Sequence, residues 1–206
     1  MAGAQIVRLR DLYISGNVAK DFLEGRTCLL EEAQKALRAE RADIVAARLE
    51  KTPLYFRQPN SRDCFVCGLK NPVGLKLTFY DDGVDQVRCE YAIPAEYQGY
   101  PGVAHGGIVA AILDEVVGRV AMIGDHTHFM MTVKMEIKYR QPVPVETPLV
   151  ITGKKIKIRG RLGQARGEVL LPGGEVAAEA QLTLADLPEA FRIEGNLEEL
   201  GWKVYP

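Results

Sequence analysis

Residues 103–124 read VAHGGIVAAILDEVVGRVAMIG, and this segment limits most sharply what the chain can become. At about 1.5 Å rise per residue it is long enough for one helix, and it is apolar on nearly every side, so other structure must wrap it. Within it only Asp114, Glu115 and Arg119 carry charge. Strand texture lies on both sides. Upstream, Leu75, Leu77 and Phe79 alternate with Lys76, Thr78 and Tyr80, and Asp81-Asp82-Gly83 turns the chain into residues 86–93, which predicts a hairpin. Downstream, residues 130–140, 149–161, 164–171 and 175–184 predict four strands, the last two joined through Leu171-Pro172-Gly173-Gly174. One antiparallel sheet curling around a single helix satisfies this order, an α+β architecture.

The remainder of the chain differs in texture. Residues 17–51 lack proline and repeat apolar side chains at spacings of three and four, which predicts a helical N-terminal extension over 1–58. Prolines and polar residues between 52 and 63 mark the boundary, giving a domain over 59–187 and a tail over 188–206. Basic residues number 26 against 27 acidic ones, for a formal charge of -1, so no global field favours nucleic acid and any anion site is local. The start of the sequence lacks a secretory pattern, and no apolar run reaches the roughly 18 residues of a membrane span. A reduced, cytoplasmic protein with no membrane or nucleic-acid partner is the expectation.

Two features of the apolar segment bear on chemistry. His105-Gly106-Gly107 stands at its front, where first-turn amides lack intrahelical partners and can hold an oxyanion or polarised carbonyl. The plainer account is that the glycines let the helix pack closely. Asp114 interrupts the apolar run, and a carboxylate desolvated there is a candidate base or nucleophile. Alternatively it lies on a polar stripe with Glu115 and Arg119, which are spaced four apart as an ion pair. Asp114 is nine positions after His105, which along one helix separates them by roughly 13 Å. Both can act on one carbonyl only if two copies of the chain share each site, which predicts a two-fold dimer, alone or paired into a tetramer.

Cys64-Phe65-Val66-Cys67-Gly68 invites a zinc or redox reading. A structural zinc usually needs four ligands and there is no second C-x-x-C pair, so packing at the entry to the first strand is expected, with no metal and no cofactor. His126 and His128 read as turn residues.

HGG followed by an apolar helix with aspartate nine residues after the histidine, preceded by C-x-x-C-G-x-x-N-P-x-G-L-x-L-x-F and followed by M-x-I-x-Y-x-x-P, resembles the hotdog-fold thioesterases. The likeness covers about residues 61–186 and points to the phenylacetyl-CoA-pathway and 4-hydroxybenzoyl-CoA thioesterase branch. It implies the hotdog fold, an acyl-CoA or aryl-CoA substrate, and sites between subunits of a homo-oligomer. By the same resemblance Gly106 supplies the oxyanion amide, Asp114 is nucleophile or general base, His105 shapes the turn, and Thr132 helps place the water or carboxylate. Relatives often have asparagine or glutamine six residues before the histidine. Here that position is Gly99 with Gln98 beside it, so either Gln98 orients the thioester or that function is absent. Gly107 is expected to line the substrate site. Lys155, Lys157, Arg159 and Arg161 are expected on one strand face, with Ile156 and Ile158 on the other, as a row that could hold the phosphates of coenzyme A or simply face water. A thioesterase is the leading reading; a regulatory hotdog protein that binds acyl-CoA without hydrolysing it is the alternative.

Overall fold

The computed structural model describes residues 55–191 and 195–205. The predicted helical extension lies outside the described residues. Ten elements besides short 3-10 turns follow in chain order: β1 (Phe56–Arg57), β2 (Tyr80–Asp81), β3 (Gln86–Ala92), β4 (Gln98–Tyr100), β5 (Val103–Ala104), α1 (Gly106–Gly118), β6 (Met130–Tyr139), β7 (Pro148–Arg159), β8 (Leu162–Leu170) and β9 (Val176–Asp186). Seven of the strands form one sheet in the order β1-β2-β3-β7-β8-β9-β6, antiparallel throughout. The fold is the expected one, with a single α-helix among the described residues laid across the sheet.

Helix α1 is shorter than the apolar run suggests. Val103 and Ala104 are extended and pair with β4, the Ala104 amide donates to the Val143 carbonyl, and His105 caps the helix. At the far end α1 passes into a 3-10 turn over Arg119–Met122. Nor is the helix covered on all sides by the described residues. Val109, Ile112, Leu113, Val116 and Val117 are buried against the sheet, each worth on the order of 1.5–3 kcal/mol. Gly106, Gly107 and Asp114 are exposed instead. Close contact with the sheet rests on Gly153 of β7, where a Cβ would lie 2.5 Å from the Val116 carbonyl oxygen.

The predicted upstream hairpin is reduced to β2 and β3, turned by Asp82, whose Oδ1 accepts from the amides of Val84, Asp85 and Gln86. Leu75, Leu77 and Phe79 are buried as their alternation implies, yet they form no strand. Lys76 has a φ of 59°, which breaks the extended repeat, and the amides of Leu75 and Leu77 donate to the carbonyls of Phe65 and Val66 rather than to a sheet neighbour. The sheet also takes in Phe56–Arg57, before residue 59, and the tail returns to it, with Asn60 and Lys203 exchanging backbone hydrogen bonds. Among the described residues no helix is long and apolar enough to cross a membrane.

A buried polar knot ties these loops to the end of α1. Gln58 donates to Asp81 (3.0 Å), Asn60 donates to the carbonyls of Cys67 and Leu77 (both 2.7 Å), and Arg119 donates to the Pro59 carbonyl (2.9 Å) and to Glu115 (2.9 Å). The Arg119 guanidinium also lies over the Phe79 ring at 4.3 Å. These bonds offset most of the cost of burying the groups, while Asn60 Oδ1 and Arg119 Nη2 meet no partner among the described residues.

Candidate active site

The start of α1 opens on a cavity of about 610 Å³ lined in part by Gly99, Tyr100, His105, Gly106 and Tyr139. Extended backbone at His105 (φ -62°, ψ 132°) turns its ring back on the helix, and Nδ1 accepts from the Gly107 amide at 2.9 Å. The Gly107 amide is engaged in the cap, and Gly107 is not among the residues lining this cavity. The Gly106 amide meets no acceptor among the described residues. Its carbonyl accepts from the Tyr139 hydroxyl at 2.8 Å, and a Cβ at Gly106 would stand 3.6 Å from that ring. Tyr139, at the end of β6, fixes the first turn from outside and was not singled out as a site residue from the sequence.

Gln98 does not line this cavity. Its Oε1 accepts from the Gly102 amide at 3.1 Å, so the side chain braces its own turn. Gly99 packs against the histidine: a Cβ there would come 3.2 Å from the His105 Cα.

Asp114 belongs to a second cleft, of about 360 Å³, lined also by Thr132, Met131, Phe129 and Trp202. The Thr132 hydroxyl donates to Asp114 Oδ1 at 2.7 Å. A register shift in β6 between Thr132 and Lys134 marks a bulge, the kind of irregularity that re-aims a side chain at a site. Asp114 is exposed in the single chain, which corrects the expected desolvation: the helix buries the neighbouring stripe and leaves this side open. Phe129 and Trp202 form the wall of the cleft, their rings in edge contact at 4.9 Å.

Comparison with known proteins shows what this arrangement is similar to. Residues 101–178 match the family model of the thioesterase superfamily. The described residues have the hotdog fold, and the stretch 101–178 is similar to that superfamily. A solved thioesterase superfamily protein is 25% identical, superposes with a TM-score of 0.55, and is covered to 84% by 79% of this chain. Zebra fish thioesterase superfamily member 2, 19% identical with a TM-score of 0.53, shares the fold over 59% of this chain and 90% of its own. Among curated relatives, acyl-coenzyme A thioesterase THEM4 of Rattus norvegicus is 30% identical over 98 residues, 47% of this chain. The chain spans only 41% of the length of that relative. THEM4 of Mus musculus is 36% identical over 64 residues, covering 31% of this chain and 26% of its own.

Within this hotdog domain the expected basic row is broken. Between Lys155 and Lys157 the register of β7 against β8 shifts, so Lys155 pairs with buried Ala165 while Lys157 and Arg159 pair with exposed Gln164 and Leu162. The bulge places Lys155 on the helix-facing side and Lys157 and Arg159 on the outer one; Arg161 sits beyond the strand, in the turn to β8. Ile156 is exposed rather than packed. One extra residue reverses the alternation on which the row depended.

The paired cysteines hold more than core packing. Cys64 Sγ accepts from the amides of Val66 (3.3 Å) and Cys67 (3.5 Å) and stands 3.7 Å from Glu115 Oε2. Its thiol is drawn down to about 7, chiefly by the hydrogen bond from the Cys67 thiol, and Cys67 is pushed up by the same bond and by burial. Cys89 is separate, with burial pushing its thiol up to about 12. The histidines after the helix face carboxylates: His126 lies 3.8 Å from Asp81 and His128 3.2 Å from Asp186.

Proposed function

We propose that the domain hydrolyses acyl-CoA or aryl-CoA thioesters to a carboxylic acid and free coenzyme A, at sites shared between two copies of the chain. The carrying observation is the division of labour within one chain. The free Gly106 amide opens on one cleft, and the Asp114–Thr132 pair opens on another. Along the helix they stand too far apart, by roughly 12 Å, for a single carbonyl group to reach both. A two-fold arrangement brings the helix start of one copy to the carboxylate of the other.

In this reading the thioester oxygen lies against the Gly106 amide at the positive end of α1, where the developing oxyanion is stabilised. Tyr139 holds the Gly106 carbonyl and with it the plane of the peptide. Asp114 of a second copy takes a proton from water, whose oxygen bonds to the carbonyl carbon, or adds to that carbon directly to form an anhydride that water then opens. The C–S bond breaks and the coenzyme A thiolate leaves with a proton. Thr132 donates to one oxygen of Asp114 and leaves the other free to react.

The thioesterase-superfamily match and the THEM4 relatives support thioester hydrolysis. Free-thiol release from a panel of aryl- and acyl-CoA thioesters, followed with the purified protein and its Asp114→Asn variant, tests it. Turnover lost in the variant is the expected result. Acyl-CoA bound without turnover across the panel would replace hydrolysis with a sensor role.

A further inference from the structure

We propose that Cys64, Cys67 and Glu115 bind one soft divalent cation of the zinc class, pinning the C-x-x-C-G turn to the middle of α1. The two sulfurs and a Glu115 oxygen all lie within 4.8 Å of one another, though Glu115 is 51 residues from Cys64 in sequence. A tetrahedral ion with metal–sulfur bonds of about 2.3 Å and metal–oxygen bonds of about 2.1 Å separates its ligands by roughly 3.5–3.8 Å. The 3.7 Å between Cys64 Sγ and Glu115 Oε2 falls on that edge.

The surroundings are arranged as ligand support. Glu115 gives Oε1 to Arg119 at 2.9 Å, which turns Oε2 toward the thiols, as an outer partner orients a ligating carboxylate. The amides of Val66 and Cys67 point at Cys64 Sγ and favour negative charge on it. The Gly68 amide closes the turn on the Cys64 carbonyl at 2.8 Å, and any Cβ at Gly68 would collide with that carbonyl. Charge also balances: two thiolates and a carboxylate against one guanidinium and one divalent cation leave the cluster neutral. Two sulfurs with one oxygen select a thiophilic d¹⁰ ion over magnesium or calcium. Cys64 and Glu115 are only half-buried, so water can complete the fourth position. A disulfide would use the sulfurs alone and leave Glu115 facing an uncharged bridge. Binding releases the thiol protons to solvent and changes no oxidation state.

None of Gly106, Asp114 or Thr132 is a donor, so the site stands whether or not the domain hydrolyses thioesters. The test is a titration of the reduced full-length protein with Co²⁺ alone, followed by Zn²⁺ competition. One equivalent of cobalt is expected to give thiolate-to-cobalt charge transfer with tetrahedral ligand-field bands, which zinc bleaches. Cys64→Ser is expected to abolish the charge-transfer spectrum of that complex or shift it strongly, and Glu115→Gln to weaken cobalt binding at least about tenfold. Circular dichroism of each variant separates lost binding from lost folding, and alkylation of Cys64 in the unaltered protein, slowed by zinc, provides a reading that needs no variant. The proposal is overturned if no charge-transfer band forms, if the band survives in Cys64→Ser unchanged, or if added oxidised glutathione closes a Cys64–Cys67 disulfide readily while the reduced protein takes no cation.

Discussion

Asp114 and Glu115 are consecutive carboxylates on one helix, and although both line the same cleft, their hydrogen-bond partners differ. Asp114 is exposed, touches Thr132, and opens on a cleft. Glu115 is half-buried, gripped by Arg119, and turned toward two thiols. One residue along a helix is a rotation of about 100°, enough to turn one side chain to β6 and the next to a packed loop at the edge of the same cleft. The comparison teaches that an acidic residue in an apolar helix acquires its chemistry from the element facing it: β6 for Asp114, the C-x-x-C-G turn for Glu115.

The comparison can be broken from either side. The largest effect is expected on the open side: Asp114→Asn should lower thioester turnover by at least about 10²-fold and change the unfolding free energy by less than about 0.5 kcal/mol. Equal loss of stability and activity in denaturation and rate measurements would mean the residue is structural. On the packed side, Arg119→Ala should destabilise the domain by about 3 kcal/mol, read from the midpoint of urea unfolding, because it leaves Glu115 and the Pro59 carbonyl without their donor. A shift of only a few tenths would show that the knot around Gln58 holds without it. Removing the Thr132 hydroxyl in Thr132→Val should reduce kcat by about tenfold while Thr132→Ser stays close to the unaltered protein, since only the hydroxyl reaches Asp114. Smallest is Tyr139→Phe, expected to lower kcat a few-fold with KM little changed, because it loosens the Gly106 peptide without touching its amide.

Much of the fold was legible because it follows from local pattern. Four downstream strands were bounded within a few residues, since alternation and the Pro172-Gly173-Gly174 turn are short-range signals. The hairpin around Leu75–Phe79 was not, because its inward-facing residues satisfy their backbone through Phe65 and Val66 rather than through a strand. The candidate site divides in the same way. His105, Gly106, Asp114 and Thr132 stand out through the helix start, the interrupted apolar run and the family likeness. The local hydrogen bonds of Gln98 and Gly107, and the contact made by Tyr139, depend on atoms a fraction of a turn away.

What the sequence by itself determined is the periodic part: an antiparallel sheet, one helix to cover it, and a glycine-rich helix start followed at a fixed distance by a carboxylate. These depend on spacings of two and of 3.6 residues, which neighbours along the chain impose on one another. Tertiary structure alone decided the rest. A single bulge in β7 sent Lys155 to one face and Lys157 and Arg159 to the other. The packing of α1 beside the loop after β1 brought Glu115 to Cys64 and Cys67, making three donors of what had read as a pair of cysteines and a surface ion pair. Register and long-range contact arise from the closing of the whole core, and no local spacing encodes where that closure puts two distant side chains.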